Sequence, residues 1–349
     1  MSICRLNWPS VRRRRILQAV GAIVALAIVF SATWVAVAVH IVFPRSSAAD
    51  LATTLVGSEN SSDAIAGKLR HNERVNLLLL ARGGSGDDNP DYTDTTLVLS
   101  FRLQAHRATA ITMPRYLWVD IPAPVVGNVQ GKLYSAYALG ASQDAGFIRP
   151  AWRTPTGQGD LAAATVSLTI AQPIDAWISV DLKAFAAIVD AIGGIRISIA
   201  TPLDDSKYPS DVGEQRMHIH FDAGPQILDG RRALQYARSR MSTSEGDRAR
   251  RQELVLMAML SQLKHAGLSP SLLAAAGPLK DGLRTNLTIA DARTLGAALS
   301  AIRAEDVTSI TLEDSPLLTV KTLEGDQDVL VPKDQTYREL RAYLAERLP

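Results

Sequence analysis

Ile16 to Phe43 contains no Lys, Arg, Asp or Glu and is rich in Ala, Val and Ile. Such a run leaves a chain few options, because about 20 apolar residues suffice for a helix to cross a hydrocarbon core, and a longer run crosses with some tilt. It predicts a transmembrane helix over 16–43. Arg5 and Arg12 to Arg15 precede it with no acid among them, which predicts a cytoplasmic N-terminus and an extracytoplasmic body. A cleaved signal peptide is the competing reading, since Ser46-Ser47-Ala48-Ala49 offers small residues at a cleavage point. The run exceeds the ~7–15 residues of a signal core, which favours an uncleaved anchor in the cell membrane. Pro44 to Asn72 lacks aromatic residues and reads as a linker. The predicted organisation is a basic tail (1–15), a span (16–43), a linker (44–72) and one extracytoplasmic catalytic domain (73–349).

Those five arginines are part of a total of 37 basic residues, and the remaining 32 face 35 acids. A slightly acidic body argues against general nucleic-acid binding, so no nucleic-acid partner is expected. The only cysteine, Cys4, lies in the leading tail, so neither a disulfide framework nor a cysteine nucleophile can be built in the body.

Val75 to Ala81, apolar apart from Asn76, has the pattern of a strand buried on both faces. Strands are expected again through Phe101, over Ala108 to Met113 and Leu117 to Ile121, and a short helix over Lys132 to Gly140 with the basic residue at its mouth. Leu182 to Ile192 carries Phe185, Ile188, Val189 and Ile192 at helical spacing and stops at Gly193-Gly194. With Ala176 to Val180 before it and Ile195 to Ala200 after it, this reads as a β-α-β unit. The predicted fold class is α/β: a mixed, partly parallel central sheet covered by helices, an α-β-α sandwich, after one N-terminal transmembrane helix. Thr201 to Gly224 reads as a long polar excursion. His218 and His220 within it alternate as solvent-facing strand residues, and no third metal ligand sits near them in sequence.

Leu228 to Gln252 carries seven arginines and no lysine. A guanidinium fork binds phosphate through two parallel hydrogen bonds where lysine offers a point charge, so this bias points to oxyanion recognition. If Tyr236 to Arg240 is extended, Arg238 and Arg240 project from one face. Ser244 with Asp247 reads as a helix start, placing Arg248, Arg251 and Gln252 along one side. A solvated basic helix fits the same charges. Upstream, Arg82 to Asp91 is a Gly-rich loop carrying Asp87, Asp88 and Asp91, compatible with a phosphate or Mg²⁺ site and equally with a plain turn.

In chain order the body resembles the LytR–CpsA–Psr family of cell-wall glycopolymer transferases. The resemblance is carried by Asn76-Leu77-Leu78-Leu79-Leu80, Thr93-Asp94-Thr95, Met113-Pro114-Arg115, Gly131-Lys132-Leu133-Tyr134-Ser135-Ala136-Tyr137, Leu228-Asp229-Gly230, Tyr236-Ala237-Arg238-Ser239-Arg240 and Arg251-Gln252. It implies an Mg²⁺-dependent phosphotransferase, with pyrophosphatase side activity, that moves a glycopolymer from an undecaprenyl-type pyrophosphate carrier to peptidoglycan at the cytoplasmic membrane. It assigns catalytic roles to Arg115, Arg238, Arg240 and Asp94, and substrate binding to Lys132, Arg248, Arg251, Gln252 and Arg82. Metal binding falls to Asp94, with Asp91 or Asp88 as further carboxylate. The chain departs from the family pattern in carrying Ala81-Arg82-Gly83-Gly84-Ser85 after the first strand and Tyr116 where an acid usually follows Pro-Arg. The alternative implied function is a non-catalytic polyprenyl-phosphate-binding protein or a regulator of wall assembly.

Overall fold

The computed structural model describes residues 43–44, 64–83, 89–142, 144, 146–209, 216–239, 245–266, 279–280, 282–303, 306–325 and 327–349. In chain order the elements are α1 (Ala64–Arg70), β1 (Val75–Arg82), β2 (Thr93–Arg102), β3 (Arg107–Met113), β4 (Trp118–Ile121), β5 (Val129–Lys132), α2 (Ser135–Ala141), α3 (Gly157–Ile170), β6 (Ala176–Asp181), α4 (Leu182–Ala191) and β7 (Ile195–Ile199). There follow β8 (Leu203–Pro209), β9 (Arg216–Phe221), β10 (Gly224–Leu228), α5 (Gly230–Arg238), α6 (Glu245–Ala266), β11 (Leu283–Thr285), α7 (Ile289–Ser300), β12 (Val307–Thr311), β13 (Leu318–Leu323), β14 (Gln327–Pro332) and α8 (Arg338–Ala345).

The central sheet has the order β11-β6-β1-β2-β3-β12. It is mixed: β1 with β6 and β3 with β12 are parallel, while β1–β2, β2–β3 and β6–β11 are antiparallel. Side chains alternate across the pleat, so the apolar run of β1 feeds two cores. Leu78 and Leu80, with Val98 and Ile111, meet Tyr137 of α2, Leu161 and Val166 of α3 and Leu340 of α8. Leu77 and Leu79, with Leu97, Leu99 and Phe101, meet Ile65 and Leu69 of α1 and Leu295 of α7. Each such fully buried side chain contributes about 1.5–3 kcal/mol, and the two faces together make the expected α-β-α sandwich. Asn76 interrupts the run because it is the tie to β6. Its backbone N–H donates to Asp175 Oδ2 at 2.8 Å and its Nδ2 to Pro173 O at 2.8 Å.

Three expectations are corrected. Among the described residues no helix is long and apolar enough to cross a membrane. The transmembrane helix expected over 16–43, and the single-pass topology built on it, are therefore not carried forward; 16–42 lie outside the described residues. Phe43, the end of that run, packs against the core of α1, α7 and the sheet. Within the segment read as linker, α1 is part of the body, with Ile65 and Leu69 buried.

The β-α-β reading also fails in its detail. β6 lies in the central sheet, but β7 pairs antiparallel with β10 in a separate two-stranded sheet. Positive φ at Gly193 and Gly194 turns the chain away after α4. The burial of Ile195, Ile197 and Ile199 alternates with exposure of Arg196 and Ser198. That period marks a strand with one wet face, unlike the doubly buried β1. The sheet is parallel through β1/β6 and β3/β12 instead. The polar excursion after it is the β8–β9 hairpin, and a third core forms where α4, α5, α6 and β7–β10 meet around Ile188, Val189, Phe221, Tyr236 and Val255.

Candidate active site

β1, β3, β6 and β12 run in one direction, so their C-terminal ends share one edge of the sheet. Ligands of open α/β sheets bind at such an edge. Here β1 delivers Arg82 and Gly83, the antiparallel return delivers Asp94 at the start of β2, and β3 runs out through Met113 and Pro114 to Arg115. A cleft of about 250 Å³ opens between them, lined by Gly83, Asn89, Tyr92, Asp94, Arg115, Tyr116 and Tyr134.

Arg115 is the centre of this cleft. Its Nη1 donates to Asp94 Oδ1 and its Nη2 to the Tyr116 hydroxyl. The guanidinium carbon also sits 4.6 Å from the centroid of the Tyr116 ring, whose face lies 5.7 Å from Lys132 Nζ. Burial works against the Arg115 charge, but the hydrogen bond and negative character of Tyr116 and Asp94 outweigh it, holding the guanidinium above its ordinary value. The surrounding turns are tied backbone to backbone. Thr93 N donates to Tyr134 O at 3.2 Å, and Tyr134 N donates to Arg115 O at 3.1 Å. Burial raises the Tyr134 hydroxyl, with Tyr92 adding to it and Arg115 opposing.

Arg82, the last residue of β1, is buried at the same edge. Its Nη2 donates to Gly282 O at 3.2 Å, and its Nη1 lies 3.9 Å from Asp91 Oδ1. Gly282 is required there, because a Cβ would stand 2.4 Å from Asp181 Oδ1. Asp88 lies outside the described residues. Among the described residues there is no group of three His, Cys, Asp or Glu side chains able to hold a metal ion. His218 and His220 do acquire a neighbour, Asp204, which receives His218 Nε2 and His220 Nδ1 at 2.9 Å each.

The arginine stretch folds differently from its expected form. Asp229 caps α5, accepting from Arg232 N at 2.7 Å, and Gly230 lets the helix start against α4, where a Cβ would stand 2.3 Å from Ala186 O. The helix runs through Arg238, so the Tyr236–Arg240 segment is not extended, and Arg238 emerges half-buried from the last turn. The tertiary partner of Ser239 sets this end: its Oγ donates to the buried Asp205 Oδ2 at 2.7 Å. Arg240 lies outside the described residues. α6 begins at Glu245, as the Ser244/Asp247 spacing predicts, with Arg248 buried and Gln252 half-buried. Arg250 ties α6 to the site edge, its Nη1 reaching Asp314 Oδ2, just past β12, at 3.3 Å. Arg251 turns back into the fold. Its Nε donates to Tyr236 O at 3.0 Å and its Nη2 to Ser239 O, satisfying carbonyls at the end of α5. Burial lowers its pKa from the ordinary arginine value.

The structure thus gathers Asp94, Arg115 and Lys132 around the Tyr116 ring, sets Arg82 with Asp91 beside them, and commits Arg251 to backbone. Tyr92, Tyr116 and Tyr134 are cleft residues that sequence reasoning did not assign to the site. The signal available was three tyrosines each one or two residues from a quoted charged position.

A model of the LytR_cpsA_psr family matches residues 39–344. The polyisoprenyl-teichoic acid–peptidoglycan teichoic acid transferase TagU of Oceanobacillus iheyensis is 28% identical over 220 residues, covering 62% of this chain and 59% of that protein. The cell wall biosynthesis protein LcpA of Corynebacterium glutamicum is 29% identical over 232 residues, covering 63% of this chain and 42% of that protein. The matches span about half the length of these curated relatives. The crystal structure of B. subtilis TagV has the same fold, with a TM-score of 0.58 at 21% identity over 79% of this chain and 98% of that one. The family match takes in the whole sandwich with both its edge strands, and the chain belongs to the LytR-CpsA-Psr family.

Proposed function

We propose that this chain is a phosphotransferase moving a glycopolymer from a polyprenyl pyrophosphate carrier, of the undecaprenyl type, onto peptidoglycan. The observation that carries the reading is Arg115, held in a cleft at the C-terminal edge of the sheet between a carboxylate and a phenol that fix its guanidinium in place. The similarity to TagU, a polyisoprenyl-teichoic acid–peptidoglycan teichoic acid transferase, supports it.

In this reading an acceptor hydroxyl attacks the sugar-bearing phosphorus, the bond to the lipid phosphate breaks, and polyprenyl phosphate leaves. Little covalent chemistry is asked of the protein, so positioning and charge neutralisation supply most of the rate. Arg115 exchanges its contact with Asp94 for diphosphate oxygens, and Lys132 adds a second positive charge 5.7 Å from the Tyr116 ring. Arg238, Arg240, Arg248 and Gln252 complete the diphosphate clamp, and Arg82 holds the loop bearing Asp91. Asp94, released from Arg115, suits a hard cation, and it is the carboxylate among the described residues that line the cleft, in keeping with Mg²⁺ held by one or two carboxylates plus phosphate oxygens. When bound there by Asp94, with Asp91 or Asp88, Mg²⁺ would supply further positive charge against the departing phosphate.

The test incubates the protein with a polyprenyl-pyrophosphate-linked saccharide and peptidoglycan fragments. Coupled product together with polyprenyl phosphate is the expected result. Absence of both from wild-type protein overturns the reading.

A further inference from the structure

The three tyrosines around Arg115 do more than the diphosphate chemistry asks of them. They come from three separate turns: Tyr92 precedes β2, Tyr116 follows β3, and Tyr134 follows β5. Tyr92 and Tyr134 pack at 4.6 Å between centroids with planes at 42°, and Tyr116 meets Tyr134 edge-on at 6.5 Å and 87°. The face of Tyr116 is already given to Arg115 and Lys132. Tyr92 is not so covered. It is 38% exposed, with Phe147 one of two exposed large aromatic rings among the described residues, and it lines the cleft together with Asn89.

This ledge is preformed. Tyr92 N donates to Asn89 O at 3.1 Å, and the turns carrying Tyr134 and Arg115 are joined to each other and to β2 by backbone hydrogen bonds. A ligand that settles on it orders little protein, which lowers the cost of binding. Its chemistry is that of an apolar ring face bordered by an amide, hydroxyls and a carboxylate, directly beside a fixed cation. A pyranose has the complementary pattern, with C–H groups on its faces and hydroxyls round its rim, and a phosphate at its anomeric carbon would lie toward Arg115.

The geometry points to Tyr92 and Tyr134 as a saccharide subsite that takes the first sugar of the transferred chain, the one esterified to the phosphate that Arg115 holds. The inference rests on the proposed transfer reaction for the identity of the ligand, and it adds a specificity element for the sugar. The diphosphate then sits against Arg115, and the first pyranose stacks on the tyrosine ledge, with Asn89 and the tyrosine hydroxyls available to its rim.

The test compares two probes by calorimetry on the protein: inorganic pyrophosphate and a hexosamine 1-phosphate. Wild type is expected to bind both. Tyr92→Ala should weaken the sugar phosphate about three- to tenfold, the size of an aromatic contact, and leave pyrophosphate binding unchanged. Tyr92→Phe, which keeps the ring, should stay within about twofold of wild type by the same measure. The exposed position of Tyr92 keeps these variants folded, which their unfolding midpoints verify. Equal weakening of both probes, or no weakening of either, overturns the subsite. If Tyr92-dependent sugar binding is found in a protein that neither binds pyrophosphate nor transfers saccharide, the subsite stands and the transfer reading falls. If pyrophosphate binds and transfer proceeds with no dependence on Tyr92, the reverse holds.

Discussion

Replacing Arg115 by alanine separates a catalytic arginine from a structural one. The Arg115–Asp94 pair is open to water, with side chains 21% and 39% exposed, so screening limits its contribution to at most about 1 kcal/mol. The stacking on Tyr116 at 4.6 Å adds about 0.5–1 kcal/mol. Neither Asp94 nor the Tyr116 hydroxyl is left buried without solvent, so no large orphaning penalty follows. The total loss of stability should be under about 2 kcal/mol by these two contributions. Activity should fall much further, because a donor aimed at charge developing in the transition state is worth a factor of about 10²–10³. Arg115→Lys keeps the charge but loses the fork that reaches Asp94 and Tyr116 at once, and should fall between wild type and alanine. Urea unfolding gives the first quantity, and saccharide transfer from a polyprenyl pyrophosphate donor gives the second. Transfer by Arg115→Ala within about threefold of wild type, where a factor of about 10² or more is predicted, would refute the reasoning.

The other predictions concern the scaffold. Arg251→Ala removes two charged donors from carbonyls at the end of α5 and should destabilise by about 2–3 kcal/mol in urea unfolding. Gly230→Ala places a Cβ 2.3 Å from Ala186 O and should cost about 1–3 kcal/mol. Gly296→Ala, on α7 with nothing within 4 Å of the new Cβ, should instead stabilise by about 0.5–1 kcal/mol. Glu253 is buried, and desolvation raises its carboxyl above 4.5 although the Ser309 hydroxyl opposes the shift. The folded state thus holds this proton more tightly than the unfolded chain. Its contribution is intact below pH 4.5 and is lost as pH rises from there through the raised value. Wild type should therefore lose more stability than Glu253→Gln between pH 4 and 7, and parallel curves would count against the assignment.

Much of the sheet was legible from local pattern. The doubly apolar β1, the helix start marked by Ser244 and Asp247, and the Gly193-Gly194 stop each act within a few residues, so spacing reports them. Of the candidate site, Arg115 could be picked out from its place where a strand gives way to a loop, whereas Asp94 and Lys132 came with the family resemblance. Their partners were legible only in part: Tyr116 is the sequence neighbour of Arg115, but Tyr134 is brought to Arg115 by the turn that follows the β4–β5 pairing, a contact no local pattern encodes.

Sequence alone determined the α/β class, the buried strands, the cationic bias and the family, because hydrophobic period and residue chemistry are properties of the chain itself. Tertiary structure decided which of the similar-looking arginines faces the cleft. Arg115 and Arg251 carry the same fork, but one ends among Asp94 and Tyr116 and the other on the carbonyls of Tyr236 and Ser239. It also decided that β7 leaves the sheet and that the residues after α6 return to form both its edges, β11 and β12. Those outcomes depend on backbone groups that need partners across long stretches of chain, and such partners exist only once the whole sheet has formed.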